Sequence, residues 1–194
     1  MEIFKADYWQ NRYENTETQW DLGHCSRPLS AYFRTLENTE AKILIPGCGA
    51  AYEAEFLHRS GFTNVYVADW ACAPLEKFQE RFPEFPSEHL LQMDFFEIDQ
   101  KFDIVIEQTF FCALPPAKRP DYAKQLHKLL SPKGVMAGLM FNFPLTEEGP
   151  AFGGSEEEYR GYFEPYFEIG KMTPCNNSEP KRQGRELFVL MRAK

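Results

Sequence analysis

Two glycines and one aspartate have the types and the spacing of a nucleotide-binding turn. Gly47 and Gly49 follow an apolar run at residues 43–45, and Asp69 follows a second apolar run at residues 65–68. Glycine permits a sharp bend and the close approach of a ligand to the backbone. An acid at the end of the second strand lies where the hydroxyls of a bound ribose would fall. The order of strand, glycine turn, helix, strand and acid therefore predicts half of a nucleotide-binding fold.

The residues after the turn indicate which nucleotide would bind. A dinucleotide site needs a small residue where this chain has Tyr52, because helix and strand must pack closely beside the pyrophosphate. Glu53 comes next, and no nearby lysine or arginine compensates its charge before Arg59 in the sequence. A phosphate at this helix start would meet an uncompensated carboxylate. We therefore predict a cationic, phosphate-free cofactor, S-adenosylmethionine, over the alternative of a nicotinamide-dependent oxidoreductase.

Composition and charge disfavour several classes of partner. The net charge is −8 without a dense basic cluster, which argues against nucleic acid. No apolar run approaches the roughly 20 residues that cross a bilayer, and the first ten residues lack the apolar centre of a signal peptide. The five cysteines are scattered, and the four histidines have no metal-ligand spacing. We predict a cytoplasmic protein with no membrane partner and no metal.

Strands and helices alternate along the chain, and this alternation predicts the fold class. The predicted helices lie at residues 28–38, 50–60, 73–82, 119–130 and 156–163. The predicted strands lie at residues 43–45, 65–68, 89–93, 102–106, 135–141, 167–170 and 186–191. The pattern is typical of an α/β protein whose doubly wound parallel sheet binds ligand at the carboxyl ends of its strands. We expect a tight turn at residues 131–134, and loops at residues 142–155 and 172–183.

Aromatic residues are concentrated near the N-terminus. Trp9 and Tyr13 are four residues apart, on one face of a helix, and Trp20 follows. They could pack against the main body, or they could cover a ligand and face a cationic sulfur. Asp94 and Phe95 follow the third predicted strand, where an acid could accept a hydrogen bond from an adenine amino group or could cap a turn.

Together these motifs resemble a class I S-adenosylmethionine-dependent methyltransferase of the thiopurine S-methyltransferase superfamily. The nearest likeness is to the plant-type thiol and halide methyltransferases. It rests on Y-W-x-x-x-Y and W-D-x-G near the N-terminus, on the turn I-P-G-C-G, on FDIVIEQTFFCAL, and on the late G-R-E. The likeness runs from about residue 8 to the C-terminus.

The resemblance implies a seven-stranded, mostly parallel Rossmann-like sheet with an antiparallel final strand. It implies one domain, with residues 1–38 as an N-terminal cover and residues 39–194 as the core. The family positions that contact the cofactor correspond to Trp9, Tyr13, Trp20, Gly47, Cys48, Gly49, Asp69, Trp70, Asp94, Phe95 and Glu107. Among these, Glu107 is expected near the amino acid end of the cofactor. Tyr13 stands where relatives more often have tryptophan.

The expected reaction is an in-line methyl transfer that leaves S-adenosylhomocysteine. A soft anion and a sulfonium cation lose their charges as they react, so a dry, aromatic site favours the transfer without a strong base. The candidate residues of the acceptor pocket are Trp20, Phe110, Phe111, Phe143 and Tyr159. We predict a halide, bisulfide, thiocyanate or thiol as acceptor, and we assign no catalytic residue. The alternatives are a larger thiol or another small molecule, and a non-catalytic cofactor-binding protein; the chain would be a monomer or weak dimer.

Overall fold

The computed structural model of the protein describes residues 5–194 and arranges them around one seven-stranded sheet. The strands are β1 (Ile43–Pro46), β2 (Val65–Asp69), β3 (Leu90–Gln92), β4 (Phe102–Gln108), β5 (Leu130–Phe141), β6 (Phe167–Pro174) and β7 (Glu186–Ala193). Their order across the sheet is β3-β2-β1-β4-β5-β7-β6. Strands β1 to β5 pair in parallel, whereas β7 runs antiparallel to β5 and to β6. The predicted sheet with an antiparallel final strand is confirmed.

Helices cover both faces of this sheet. They are α1 (Ala6–Glu14), α2 (Arg27–Phe33), α3 (Tyr52–Arg59), α4 (Cys72–Arg81), α5 (Arg119–Leu129) and α6 (Glu156–Phe163). Leu44 of β1 packs in one core cluster with α5 and α6, whereas Ile43 and Ile45 pack in the other with α2, α3 and α4. Successive strand residues point to opposite faces, so a strand that is apolar at every position is covered on both sides. Within residues 5–194, no helix is long and apolar enough to cross a membrane.

The strand order locates the ligand edge at β1 and β4. From β1 the chain moves outward through β2 to the edge strand β3, and then crosses back to β4 on the other side of β1. The segments that follow β1 and β4 therefore diverge and leave a crevice between them. The glycine turn follows β1, and Thr109 and Phe110 follow β4. Both segments border this crevice.

Two predicted boundaries are wrong because strand pairing extends past local turn signals. Leu130 already pairs with β4, so β5 begins before the turn predicted at residues 131–134. The pairing shifts register beyond Leu130, and Lys133 has a φ of 64°. The loop predicted at residues 172–183 begins later, because β6 continues beside β7 to Pro174. A proline is accepted there since β6 is an edge strand.

Three other segments complete the comparison. Helix α2 ends at Phe33 rather than at residue 38, and β3 begins after a short 3₁₀ helix, Ser87–His89, that includes the predicted first residue of the strand. The loop predicted at residues 142–155 is confirmed, with one isolated bridge between Phe143 and Gly154.

Candidate cofactor and acceptor site

A cavity of about 610 Å³ lies at the carboxyl edge of the sheet. Gly47 after β1, Asp69 at the end of β2 and Thr109 after β4 all line it, so three strand ends meet at its base. A second, smaller cavity of about 50 Å³ adjoins it along the glycine turn and shares Gly47 and Trp20 with it. The larger volume lies in the range of small-molecule sites, which are commonly found at this edge of an α/β sheet.

The glycine turn needs its glycines for two separate reasons. Gly47 and Gly49 have φ values of 56° and 51°, a region that favours glycine. A Cβ on Gly47 would overlap the ring of Phe110, and a Cβ on Gly49 would lie 3.1 Å from the hydroxyl of Tyr13. Cys48 donates its backbone N–H to Ala68 at 3.0 Å, which ties the turn to β2. Cys48 and Gly49 line the smaller cavity.

Asp69 joins the glycine turn to the end of β2. One carboxylate oxygen accepts the N–H of Gly49 at 3.1 Å, and the other accepts the N–H of Ala71 at 3.0 Å. The side chain is 7% exposed, and it lines the larger cavity. Burial raises the pKa of Asp69 to about 6, against the opposing effect of these N–H donors. The carboxylate is therefore fixed in direction beside the space where a ribose would lie.

The aromatic residues of the N-terminal cover line the same cavity. Trp9 and Tyr13 lie on one face of α1, and Trp20 packs edge-on against both, with ring centroids at 5.6 and 5.7 Å. Gln10 accepts the backbone N–H groups of Cys72 and Ala73 at the start of α4, at 2.9 and 3.1 Å. The segment therefore packs against the core and also lines the cavity, and its role as a cover over a ligand stays a prediction.

The residues predicted beside the adenine also lie on the larger cavity. Trp70 lines it and is 41% exposed, and Asp94 and Phe95 line it after β3. Asp94 accepts the N–H of Phe96 at 3.0 Å and so caps a short 3₁₀ helix, Phe95–Glu97. Phe95 is stacked against Tyr122, with ring centroids at 5.1 Å. Asp94 therefore caps the 3₁₀ helix and lines the cavity at the same time.

Glu107 is the one predicted cofactor contact that lies away from both cavities. Its side chain is fully buried on the α5 side of the sheet. One carboxylate oxygen accepts the N–H groups of Phe110 and Phe111, both at 2.9 Å, and the other accepts the hydroxyl of Tyr122 at 2.7 Å. The structure differs from the expectation here, because these three donors hold Glu107 beneath the turn that follows β4.

Three predicted acceptor-pocket residues also do not line the larger cavity, namely Phe111, Phe143 and Tyr159. Phe111 and Tyr159 are buried in the core and pack against each other, with ring centroids at 5.3 Å. The hydroxyl of Tyr159 donates to the carbonyl of Phe141 at 2.6 Å, and Phe143 packs on the Phe141 ring at 5.2 Å. Of the predicted acceptor residues, Trp20 and Phe110 line the larger cavity.

The far wall of the cavity comes from segments that the sequence did not assign to the site. These lining residues are Cys112, Leu114, Phe141, Pro150, Ala151, Glu179, Lys181 and Arg182. Arg182 donates to the carbonyl of Trp20 at 2.7 Å and pairs with Glu186 at 3.3 Å, while Glu179 accepts the N–H of Arg27 at 3.0 Å. The basic run around Arg182 was the one sequence feature that could have indicated this wall, and the sequence around it predicts only a loop.

The family model described as thiopurine S-methyltransferase matches residues 4–191. The chain belongs to the thiopurine S-methyltransferase family. The predicted family is confirmed, and the protein is an S-adenosylmethionine-dependent methyltransferase.

Relatives agree with membership of the thiopurine S-methyltransferase family, and a structural neighbour has the same fold. The chain is 32% identical to a probable thiol methyltransferase 2 of Arabidopsis thaliana, over 78% of this chain and 69% of that protein. It is 27% identical to thiocyanate methyltransferase 1 of Brassica oleracea, over 92% and 81%. A 1,6-didemethyltoxoflavin-N1-methyltransferase of Burkholderia thailandensis, solved with S-adenosylhomocysteine, has the same fold, with a TM-score of 0.76, 18% identity and coverage of 97% and 87%.

Replacing Glu107 with glutamine should flatten the dependence of stability on pH. Burial raises the pKa of Glu107 from 4.5 to about 7, so the folded state keeps a proton that the unfolded chain releases near pH 4.5. This contribution to stability is complete below pH 4.5 and is lost as the pH rises through 7. The free energy of unfolding should fall by up to roughly 3 kcal/mol between pH 5 and pH 8 in the wild type.

Chemical denaturation at several pH values measures this difference. Asp69 contributes a slope of the same sign near pH 6 in both proteins, so the difference between wild type and Glu107→Gln isolates Glu107. Parallel profiles for the two proteins would show that Glu107 does not titrate in this range.

Proposed function

We propose that this protein transfers the methyl group of S-adenosylmethionine to a small soft nucleophile, namely bisulfide, thiocyanate, a thiol or a halide. The observation that carries the proposal is that acidic residues at the strand ends and basic residues near the C-terminus line different parts of the larger cavity. Asp69 and Asp94 lie at the strand ends predicted to hold the nucleoside. Lys181 and Arg182 lie together with Glu179 in the wall formed near the C-terminus. Glu179 pairs with Arg27 and Arg182 pairs with Glu186, whereas no ion pair of the described residues includes Lys181, so this wall keeps a basic group. Acids favour a bound cation and bases favour a bound anion. A cationic methyl donor and an anionic acceptor match this arrangement.

The residues at the strand ends fit the cofactor. Gly47 and Gly49 leave space where any side chain would collide with Phe110 or approach Tyr13, and the carboxylate of Asp69 is fixed nearby. S-adenosylmethionine supplies an electrophilic methyl group on a sulfonium cation. The residues of the glycine turn and Asp69 would hold and orient it, and the rings of Trp9, Tyr13 and Trp20 would exclude water. Residues 1–38 then serve as the cover, and residues 39–194 as the core of one domain.

The protonation of the cavity walls favours an acceptor that is already an anion. Burial raises the pKa of the Tyr13 hydroxyl and of the Cys112 thiol far above neutrality, so both stay protonated and neither serves as a base. An anionic sulfur or halide would need no base among these residues to accept the methyl group that S-adenosylmethionine would supply, and the electron pair of the broken carbon–sulfur bond would stay on the cofactor's sulfur. No proton moves in this step, and the two opposite charges are lost together.

Two buried aromatic residues support a small acceptor, and the free cysteines support a cytoplasmic location. Phe111 and Tyr159 are buried against each other and do not line the larger cavity, so they add no room for an acceptor, which favours a small acceptor over a larger thiol. All five cysteines are free thiols, which supports a reducing, cytoplasmic environment.

Calorimetric titration with S-adenosylmethionine, followed by addition of single acceptors, tests the proposal. Iodide, bisulfide and thiocyanate should each be tried, with volatile products detected in the headspace. We expect methyl iodide, methanethiol or methyl thiocyanate, together with S-adenosylhomocysteine in equal amount. Cofactor binding with product only from larger thiols would transfer the assignment to those thiols. Binding without any product would favour a non-catalytic protein, and absence of binding would overturn the proposal.

A further inference from the structure

Glu53 is a buried acid beside the glycine turn with no assigned role. It is the second residue of α3 and is 7% exposed. One of its carboxylate oxygens accepts the backbone N–H of Ser26 at 3.0 Å. Burial raises the pKa of Glu53, and the backbone N–H groups of Ser26 and of Glu53 itself oppose this effect. A buried carboxylate is costly unless a cation or several donors stabilise it.

No resident cation neutralises this carboxylate. Among the ion pairs of residues 5–194, none includes Glu53. Arg182 and His24 are near enough to lower its pKa, but Arg182 pairs with Glu186 at 3.3 Å and His24 lies 4.0 Å from Glu179. Backbone donors therefore stabilise the Glu53 carboxylate only in part, and no cation of the described residues is paired with it.

Glu53 also lines the smaller cavity, which gives a ligand a place. The volume of about 50 Å³ is several times the roughly 10–15 Å³ that one water molecule needs, so a small polar group such as an ammonium group can enter this cavity. Gln108 lines the same cavity, and its amide oxygen accepts the hydroxyl of Ser26 at 2.6 Å. The amide nitrogen of Gln108 has no hydrogen-bond partner within the described part of the chain, so a donor and an acid border one small space.

We propose that Glu53 binds the ammonium group at the amino acid end of the cofactor, and that the amide nitrogen of Gln108 faces the neighbouring carboxylate. The proposal rests on the proposed function, since it takes S-adenosylmethionine as the ligand. The smaller cavity adjoins the larger one at Gly47 and Trp20, so the nucleoside would lie in the larger cavity and the amino acid end in the smaller. Glu53 thereby takes the position expected of Glu107.

A ligand that lacks the amino acid end separates this role from a structural one. S-adenosylhomocysteine carries the ammonium and the carboxylate, whereas 5′-methylthioadenosine keeps the adenosine and the sulfur without either group. We expect Glu53→Gln to raise the Kd of S-adenosylhomocysteine by at least about tenfold, as the loss of a charged hydrogen bond would. The Kd of 5′-methylthioadenosine should stay within about twofold of the wild-type value.

Glu55→Gln is the matched control on the same helix. Glu55 pairs with Arg59 at 3.0 Å and with Arg81 at 3.1 Å, and it lines neither cavity. Both ligands should bind this variant as they bind the wild type. Glu53→Asp keeps the charge and should weaken S-adenosylhomocysteine less than Glu53→Gln does, which keeps the test valid if the glutamine variant folds poorly.

Several results would overturn the inference. Equal weakening of both ligands by Glu53→Gln would show that Glu53 only supports the N-terminal cover through Ser26. Unchanged binding of S-adenosylhomocysteine would show that Glu53 faces no ligand. If the wild type binds S-adenosylhomocysteine but methylates none of the small acceptors, the proposed acceptor fails while the role of Glu53 is still measured. If the wild type binds no S-adenosylhomocysteine, both proposals fail.

Discussion

Asp69→Ala should weaken the binding of S-adenosylmethionine at least about tenfold, the effect of losing one charged hydrogen-bond acceptor. The carboxylate lines the larger cavity and is expected to accept the ribose hydroxyls. It also accepts the N–H of Gly49, so alanine removes a support of the glycine turn as well as a ligand contact. Calorimetric titration measures the change, and an unchanged affinity would remove Asp69 from the site.

The pH dependence of affinity separates the two roles of Asp69. The pKa of Asp69 is raised to about 6, so a wild-type sample at pH 5 has this side chain mostly protonated. A protonated carboxyl accepts poorly from two hydroxyls, and the affinity should fall by about tenfold between pH 8 and pH 5. Asp69→Asn keeps the size of the side chain but does not titrate, so its affinity should be low and should lack this fall. A fall of the same size in Asp69→Asn would assign the titration to another group.

Gly47→Ala should destabilise the fold and also impair cofactor binding. Gly47 has a φ of 56°, which costs an alanine about 1–2 kcal/mol. The new Cβ would lie 2.7 Å from Cγ and 2.8 Å from Cβ of Phe110, so the ring must move. Phe110 is held by its N–H bond to Glu107, and relief of such an overlap costs about 1–3 kcal/mol more. Because Phe110 lines the larger cavity, its displacement should raise the Kd of S-adenosylmethionine by about tenfold or more.

Gly61→Ala provides the control for backbone strain. Gly61 has a φ of 94° after α3, and the nearest atom to a new Cβ is Cγ2 of Thr39 at 4.0 Å. This variant should lose about 1–2 kcal/mol of stability and keep the wild-type affinity. Thermal melts and titrations of both variants measure the two effects. An equal loss of affinity in Gly47→Ala and Gly61→Ala would attribute the loss to general destabilisation rather than to Phe110.

The local sequence was sufficient to predict the sheet and one side of the site. The apolar run of β1, the two glycines and Asp69 are near in sequence. The type of each residue alone indicates its backbone conformation or its burial. Gly47 and Gly49 have the positive φ values that their positions in a sharp turn indicate. The predicted Asp69, Trp70, Asp94 and Phe95 line the larger cavity for the same reason, since the ends of parallel strands meet at one edge.

The other side of the site depends on packing that local patterns do not report. Glu107 lies one residue before the end of β4, whereas Asp69 is the last residue of β2. Tyr122 on α5 donates its hydroxyl to Glu107, and the side chain of Glu107 is buried in the core. Phe111 and Tyr159 are equally plausible as cavity wall and as core, and α6 packs them as core. Glu179 and Arg182 reach the cavity only because the chain folds back after β6, and no spacing in the sequence indicates that return.

Two residues of the N-terminal cover bond to residues that lie far later in the chain. Trp20 and Arg27 leave the ribosome 162 and 152 residues ahead of Arg182 and Glu179, to which they bond. At the usual rate of synthesis this separation lasts roughly 8 to 30 seconds. Strand β6 also joins the sheet late, because its only neighbour in the sheet is β7, which follows it in the chain. Until β7 has been synthesised, a nascent chain therefore exposes the β5 edge, and Trp20 and Arg27 lack these two partners.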